Sequence, residues 1–291
     1  MPGLQHLQAA GLDVLVQRSH GSPEVKVAVI DGPVSGHADL SEVITLRVDA
    51  GHPSADAADA GHGTFVAGIL AASRESAAPG LCPGCSFLAI PVFIADPAAP
   101  GQMATSAWRV AAAVTMGVEA GARLINLSVA TTGTAQRPSA EVRSALSFAA
   151  SRGCLVVAAA GNNSTLFSNV ITQHPWVLSV TALGNDGRPL RQANLGASVG
   201  SRGVAAPGQA VTSLAPGGGY ATGSGTSAAA AIVTGSLALL LSAIPDATAS
   251  SLRDAIVRGA RRVGPVSVVP PSMDGLSTYQ LLTRSSFRIT A

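Results

Sequence analysis

The stretch "GSGTSAAAAIVTGSLALLLSAIP", residues 223–245, sets a flexible Gly/Ser/Thr loop directly before an uncharged apolar run. Residues 228–244 of it read as one helix. Three arrangements produce such a pattern. A membrane span needs roughly 20 apolar residues and favours basic flanks. This run is shorter, is broken by Thr234-Gly235-Ser236 and lacks those flanks. A phosphate-cradling loop needs the Walker lysine or a place after the first strand, and this loop has neither. The third arrangement is a serine, Ser227, presented at a helix N-terminus for chemistry. A helix that is apolar all round then belongs at the centre of a large domain. The rest of the chain decides for the third.

The 291 residues suit one large domain. Charged residues are 12% of the chain, about half the usual share, so the surface is sparsely charged. Aromatics are only 3%, so the core must be built from Ala, Val, Leu and Ile. A net charge of +2 is too weak to imply a nucleic-acid or acidic-membrane partner, and neither is expected. The Arg258/Arg261/Arg262 group reads as a solvated helix C-terminus. Three cysteines make no disulfide framework for a domain this size. Cys154 lies in an apolar run and reads as core. The Cys82-Pro83-Gly84-Cys85 stretch reads as a turn or a local disulfide. A redox pair would open a helix, whereas Cys85 opens a strand-like run, and zinc would need four ligands. No metal and no cofactor are expected. Residues 1–20 have no basic start and no unbroken apolar core, so they do not read as a secretory signal, and a cytoplasmic location is expected.

Strand-like runs occupy residues 25–30, 87–94, 123–129, 154–160 and 176–183. Helical stretches lie between them at 64–73, 105–120 and 139–152, with a further helix at 248–258. Continuous apolar strands alternating with helices predict an α/β fold, a doubly wound and mostly parallel sheet covered on both faces. One domain is expected over residues 1–291, with a core of about 22–262 and a tail, 263–291, whose "LSTYQLL" docks on the body. Ligands and catalytic groups of such sheets collect at the carboxyl ends of the strands.

Four residues stand at such places. Asp31 follows the first strand in "AVIDGPV", where Asp-Gly alone would be a turn. His62 precedes a helix in "GHGTFVAGILAA" and alone would be a local cap. Asn162, after "VVAAAG", alone would be a turn residue. Ser227 alone would be a helix N-cap. Taken together they offer an acid, a base and a nucleophile, and a serine hydroxyl needs such a base. Another serine, Ser198 in "GASVG", matches a hydrolase nucleophile elbow. That fold takes its triad in the order Ser, acid, His, and no histidine follows Ser198. The order Asp, His, Ser is available.

The segments "VAVIDGPV", "GHGTFVAGI", "INLSVA", "VVAAAGNN" and "GSGTSAAAAIVTG" together resemble those of the subtilisin-like (subtilase) serine proteases, in the right order. The resemblance implies that Asp31 orients the imidazole, His62 acts as base and then acid, and Ser227 attacks the scissile carbonyl. It implies an oxyanion hole from Asn162 and the Ser227 N–H. Ser128, Val129 and Ala130 resemble the edge that pairs with an extended peptide, an apolar edge suited to small or medium apolar residues. Ala159, Ala160 and Gly161 resemble the opposite pocket wall. "MPGLQHL", "AVIDGPV" and "PGCSFLAIPVF" resemble the proteases that process cyanobactin precursor peptides. They imply a peptide substrate, a ribosomal precursor, and a role in its maturation. Ala130 stands where members of that family often carry glycine, which implies a narrower first substrate pocket, and three further features depart from the family pattern. Ala228 to Ala231 replace its Met-Ala-x-Pro, Phe65 replaces its second histidine, and "SRESAAPG" replaces the calcium loop with one acidic residue, Glu75. A catalytically silent peptide-binding relative and a macrocyclase using the same acyl-enzyme are the alternative readings.

Overall fold

The structure, a computed structural model, describes residues 11–40, 42–46, 48, 60–95, 103–129, 139–262 and 267–286. Ala130 and the "MPGLQHL" stretch lie outside the described residues. The chain begins with α1 (Asp13–Arg18), β1 (Lys26–Asp31), β2 (Val43–Thr45), α2 (Gly61–Ala71) and β3 (Ser86–Pro91). A small antiparallel pair follows, β4 (Ile94–Ala95) and β5 (Met103–Ala104), then α3 (Ala107–Glu119) and β6 (Leu124–Leu127). Next come α4 (Ala140–Ser151), β7 (Leu155–Ala159), α5 (Val170–Gln173), β8 (Leu178–Leu183), α6 (Ala197–Arg202) and β9 (Val204–Pro207). An antiparallel hairpin of β10 (Val211–Ala215) and β11 (Gly219–Gly223) leads into α7 (Thr226–Ala243), α8 (Ala249–Gly259) and α9 (Gly275–Ser286).

Among the described residues, seven strands form one parallel sheet in the order β2-β3-β1-β6-β7-β8-β9. The predicted α/β architecture is therefore the observed one. Strands β6, β7 and β8 are buried at every position, as strands covered on both faces must be. Two apolar layers do the covering. One holds α2 and α7, with α1, α8 and α9 outside them; the other holds α3 and α4. Strand order reverses at β1, flanked by β3 on one side and β6 on the other. Its carboxyl end is thus the topological switch point, where such sheets open a crevice.

Helix α7 runs across β6, β7, β8 and β9. By length and composition it could cross a membrane, yet 83% of it is buried inside the fold, and that burial accounts for its apolar character. Ala228 to Ala231 are at most 3% exposed, so small side chains set the backbone of the helix close against its neighbours. Leu237, Leu239 and Leu240 are fully buried, each contributing about 2 kcal/mol of transfer free energy.

The chain beyond α8 covers an edge of the sheet. Ala205 N–H in β9 donates to Pro271 C=O at 2.8 Å, and Met273 N–H donates back to Ala205 C=O at 2.8 Å. An open strand edge, a template for unwanted pairing, is closed in this way. "LSTYQLL" lies within α9, which packs on α8 and α1, with Arg18 over the Tyr279 ring at 5.9 Å. The arginine group is a correction to the sequence reading. Arg261 pairs with Asp274 at 3.2 Å and Arg262 donates to Gly200 C=O at 3.1 Å, so both hold this segment rather than cap a solvated helix end.

Candidate active site

Asp31 is the last residue of β1 and is fully buried. Its Oδ1 accepts from the Gly32 N–H at 2.6 Å and from His62 Nδ1 at 2.6 Å. A carboxylate only accepts, so Nδ1 carries the proton and the neutral ring keeps its lone pair on Nε2. The Asp31 Oδ2 is buried with no hydrogen-bond partner among the described residues. His62 does not precede α2 as the sequence suggested; it is the second residue of that helix, with a side chain 53% exposed. Burial of the ring pulls its pKa down, but the charge of Asp31 and the hydrogen bond to it outweigh that pull. The net effect holds His62 above its ordinary value of 6.5.

Gly63 explains how the helix reaches Asp31. A Cβ there would stand 2.3 Å from both the Gly32 and Pro33 carbonyl oxygens, so only glycine lets α2 start against the loop that follows β1. Gly63→Ala is therefore expected to cost about 1–3 kcal/mol through overpacking. That should lower Tm by a few degrees. Gly61→Ala, whose Cβ meets nothing within 4 Å, serves as the control and should leave Tm unchanged. Equal melting of the two variants would overturn this account.

Ser227 is likewise inside its helix, the second residue of α7, and not its N-cap. The cap position is Gly225, which has no side chain to bond with. A partner from another loop takes over: Asn162 Oδ1 accepts from the Thr226 N–H at 3.0 Å. That bond identifies the oxygen of the Asn162 amide, so the other end of the amide is the donor. Thr226 Oγ1 accepts from the Gly161 N–H at 3.1 Å, tying the same two segments a second time.

His62, Asn162 and Ser227 line one cleft of about 450 Å³, with Phe65 among its walls. Asp31 lies behind His62. Among the described histidines, only His62 lines this cleft. His37 instead holds the hairpin tip through Gly219 C=O at 3.1 Å, and His174 packs against Ser147 at 3.2 Å. Ser198 sits in α6 and donates to Ser168 Oγ at 2.6 Å, away from the cleft.

Ser128 and Val129 follow β6, and Ala160 and Gly161 follow Ala159 at the end of the adjacent β7. Ser128, Ala159 and Ala160 are at most 5% exposed, so they present backbone more than side chain. Val129, 1% exposed, belongs to the core layer under α3 and α4, which corrects its reading as an apolar contact for a substrate side chain. Ala130 is outside the described residues. Strand β11 is absent from the sequence reading, and the hairpin it forms with β10 contributes Ala215 and Thr222 to the cleft wall. The "PGGG" turn ahead of Tyr220 was the signal for it. The three cysteines are buried free thiols, so Cys82 and Cys85 are not disulfide-bonded. Cys85 Sγ lies 3.8 Å from Ser242 Oγ, and the hydrogen bond from Cys82 draws the Cys85 thiol down to about 7. No group of three or more His, Cys, Asp or Glu side chains fit to hold a metal occurs among the described residues.

The model of the subtilase family matches residues 22–277. The chain belongs to the subtilase family. It is similar to Subtilisin BL of Lederbergia lenta, with 32% identity over 241 residues, covering 82% of this chain and 84% of that protein. Among solved structures it is similar to the patellamide maturation protease PatA, at 29% identity and a TM-score of 0.79, covering 91% of this chain and 98% of the other. It is similar to the prenylagaramide maturation protease PagA at 27% identity and a TM-score of 0.82, covering 94% and 99%. The subtilase chain is thus a subtilisin-like serine endopeptidase.

Proposed function

We propose that this subtilase cleaves a precursor peptide at an extended, accessible segment. In this reading Ser227 Oγ attacks the scissile carbonyl carbon while His62 Nε2 takes its proton. The carbonyl oxygen gains negative charge and is met by the Asn162 Nδ2 donor and the Ser227 N–H. His62 then gives its proton to the leaving amine, and the C–N bond breaks to leave an acyl-enzyme. Water, activated by His62, repeats the sequence and frees Ser227. Asp31 holds the ring in the tautomer that keeps Nε2 open and stabilises the cation formed midway. The observation that carries the assignment of roles is the 2.6 Å bond from a half-exposed His62 to a fully buried Asp31, in a cleft shared with Ser227.

The maturation role rests on the likeness to PatA and PagA, both named as maturation proteases. Ser128, Ala159 and Ala160 have buried side chains and therefore offer mainly main-chain contacts, which suit an added peptide strand and select weakly by side chain. One methylene of fit is worth about 1–3 kcal/mol, so selection of one precursor needs contacts further along the peptide. Extended synthetic peptides and casein, digested side by side and mapped by mass spectrometry, test this. Cleavage at few peptide sites with slow digestion of casein is expected. Efficient cutting of casein at many unrelated sites would overturn the maturation role and leave the protease standing.

A further inference from the structure

The loop that carries Asn162 is tied to α7 through Asn162 Oδ1 and Thr226 Oγ1, and its own turn is fixed from a second side. Residues 160–165 leave β7 buried at Ala160 and are exposed by Asn162, with Gly161 at φ +103° and Ser164 at φ +55°. Both are left-handed conformations, and Ser164 pays strain for its own. One side chain outside the cleft binds this loop on both sides of Asn162. Asn194, 8% exposed, accepts at Oδ1 from the N–H of Asn163 at 2.9 Å and of Thr165 at 3.1 Å. Its Nδ2 donates to Ala160 C=O at 3.1 Å. The Asn194 backbone adds an N–H to Gly161 C=O at 2.8 Å and accepts from Thr181 Oγ1 at 3.1 Å. A Cβ on Gly161 would stand 2.5 Å from Asn194 Nδ2, so the amide lies directly against that residue.

We infer that Asn194 is a positioning residue of the catalytic cleft, holding residues 160–165 so that the Asn162 amide meets the developing oxyanion. The inference rests on the proposed role of Asn162. Its physical basis is the distance dependence of oxyanion stabilisation. A donor counts only within about 2.7–3.1 Å of where the charge forms, and a displacement of about 1 Å in a catalytic constellation costs on the order of 100-fold. Removing the Asn194 amide turns the Asn163 and Thr165 N–H groups to water, since both residues are exposed, and leaves the buried Ala160 carbonyl without this donor. Other bonds remain: Ser164 N–H to Gln192 C=O at 2.9 Å, Leu195 N–H to Thr165 C=O at 2.9 Å, Asn194 N–H to Gly161 C=O at 2.8 Å, and the two ties to Thr226. The loop therefore stays attached but loses the side-chain contacts that fix Ala160, Asn163 and Thr165 around Asn162. Because Asn162 acts on the transition state alone, the loss falls on kcat and spares KM.

The test compares Asn194→Ala, Asn194→Asp, Asn162→Ala and the Asn162→Ala/Asn194→Ala double variant in the intact chain. It reads kcat, KM, Tm and inhibition by a peptide aldehyde, whose adduct oxygen occupies the same hole. Asn162→Ala should lower kcat roughly 100- to 1000-fold, a size carried over from subtilisin. Asn194→Ala should lower kcat about 10-fold with KM within about twofold, and weaken the aldehyde in parallel. Asn194→Asp keeps the acceptor for Asn163 and Thr165 and should recover part of kcat. In the Asn162→Ala background the second substitution should cost no more than about twofold, because a positioning residue has nothing left to position. A lowered Tm with unchanged kcat in Asn194→Ala would overturn the inference, as would multiplicative losses in the double variant. An unchanged kcat in Asn162→Ala would instead overturn the oxyanion role, and this inference with it.

Discussion

Ser227→Ala is expected to abolish peptide hydrolysis, lowering kcat by about 10⁶-fold, the size that loss of the nucleophile has in subtilisin itself. The fold should not notice. Ser227 is the second residue of α7, only partly buried, and no side-chain cap bond depends on it. Alanine is the residue most favoured in a helix, so the substitution costs nothing in propensity. The first turn stays anchored from outside, by Asn162 Oδ1 on the Thr226 N–H and by Thr226 Oγ1 on the Gly161 N–H. Hydrolysis of an extended peptide, thermal melting and labelling by a fluorophosphonate probe measure the three parts of the claim. Activity and labelling should vanish together while Tm holds. Retained labelling would move the nucleophile to another serine, and a collapsed Tm would show that the loss of activity is structural.

Asp31→Asn should lower kcat by about 10⁴-fold, as the equivalent change does in a serine-protease triad of another fold. An asparagine can donate to Nδ1, which would place the ring proton on Nε2 and remove the base from the side that faces the cleft. The pH profile gives a second, independent reading. With His62 as the proposed base, kcat/KM should rise as pH climbs through the His62 pKa of the free enzyme. In the wild type burial lowers that pKa, but the Asp31 charge and hydrogen bond raise it further, so the inflection should lie above 6.5. Asparagine removes the charge and keeps the burial. The residual activity should therefore show its acid limb displaced to lower pH than in the wild type. An inflection that stays in place would mean that Asp31 does not set the protonation of His62.

The parallel sheet was legible because strands buried on both faces need mostly apolar runs, and β6, β7 and β8 carry only Asn126, Ser179 and Thr181 as polar residues. Strand β2 was not, being three residues long with Ile44 exposed, and β11 was not, since it opens on glycine and is exposed along most of its length. Asp31, His62, Asn162 and Ser227 were legible as a set because each interrupts a pattern at a strand end or a helix start. Their local settings were less so. His62 and Ser227 read as residues before a helix, because Gly61 and Gly225 look like loop, and the cap positions Ala60 and Gly225 carry no capping side chain. Val129 read as substrate-facing because it directly follows a strand end, yet its side chain lies in the core beneath α3 and α4.

Patterns of apolar residues are local, and a sheet covered on both sides, a central helix and the order of Asp, His and Ser are written in them. Tertiary structure alone decides which side chains meet. Asn194 lies in "RQAN", a stretch that reads as an ordinary turn, and nothing within it points to Ala160, Asn163 or Thr165. Asn162 capping the helix that carries Ser227, and Gly63 admitting the loop after Asp31, are of the same kind. Each is a contact between residues about 30 to 64 apart in the chain, made by atoms a few ångströms apart. Hydrogen bonds and overlaps fall off within such distances, so they exist only once the hydrophobic layers have brought the segments together.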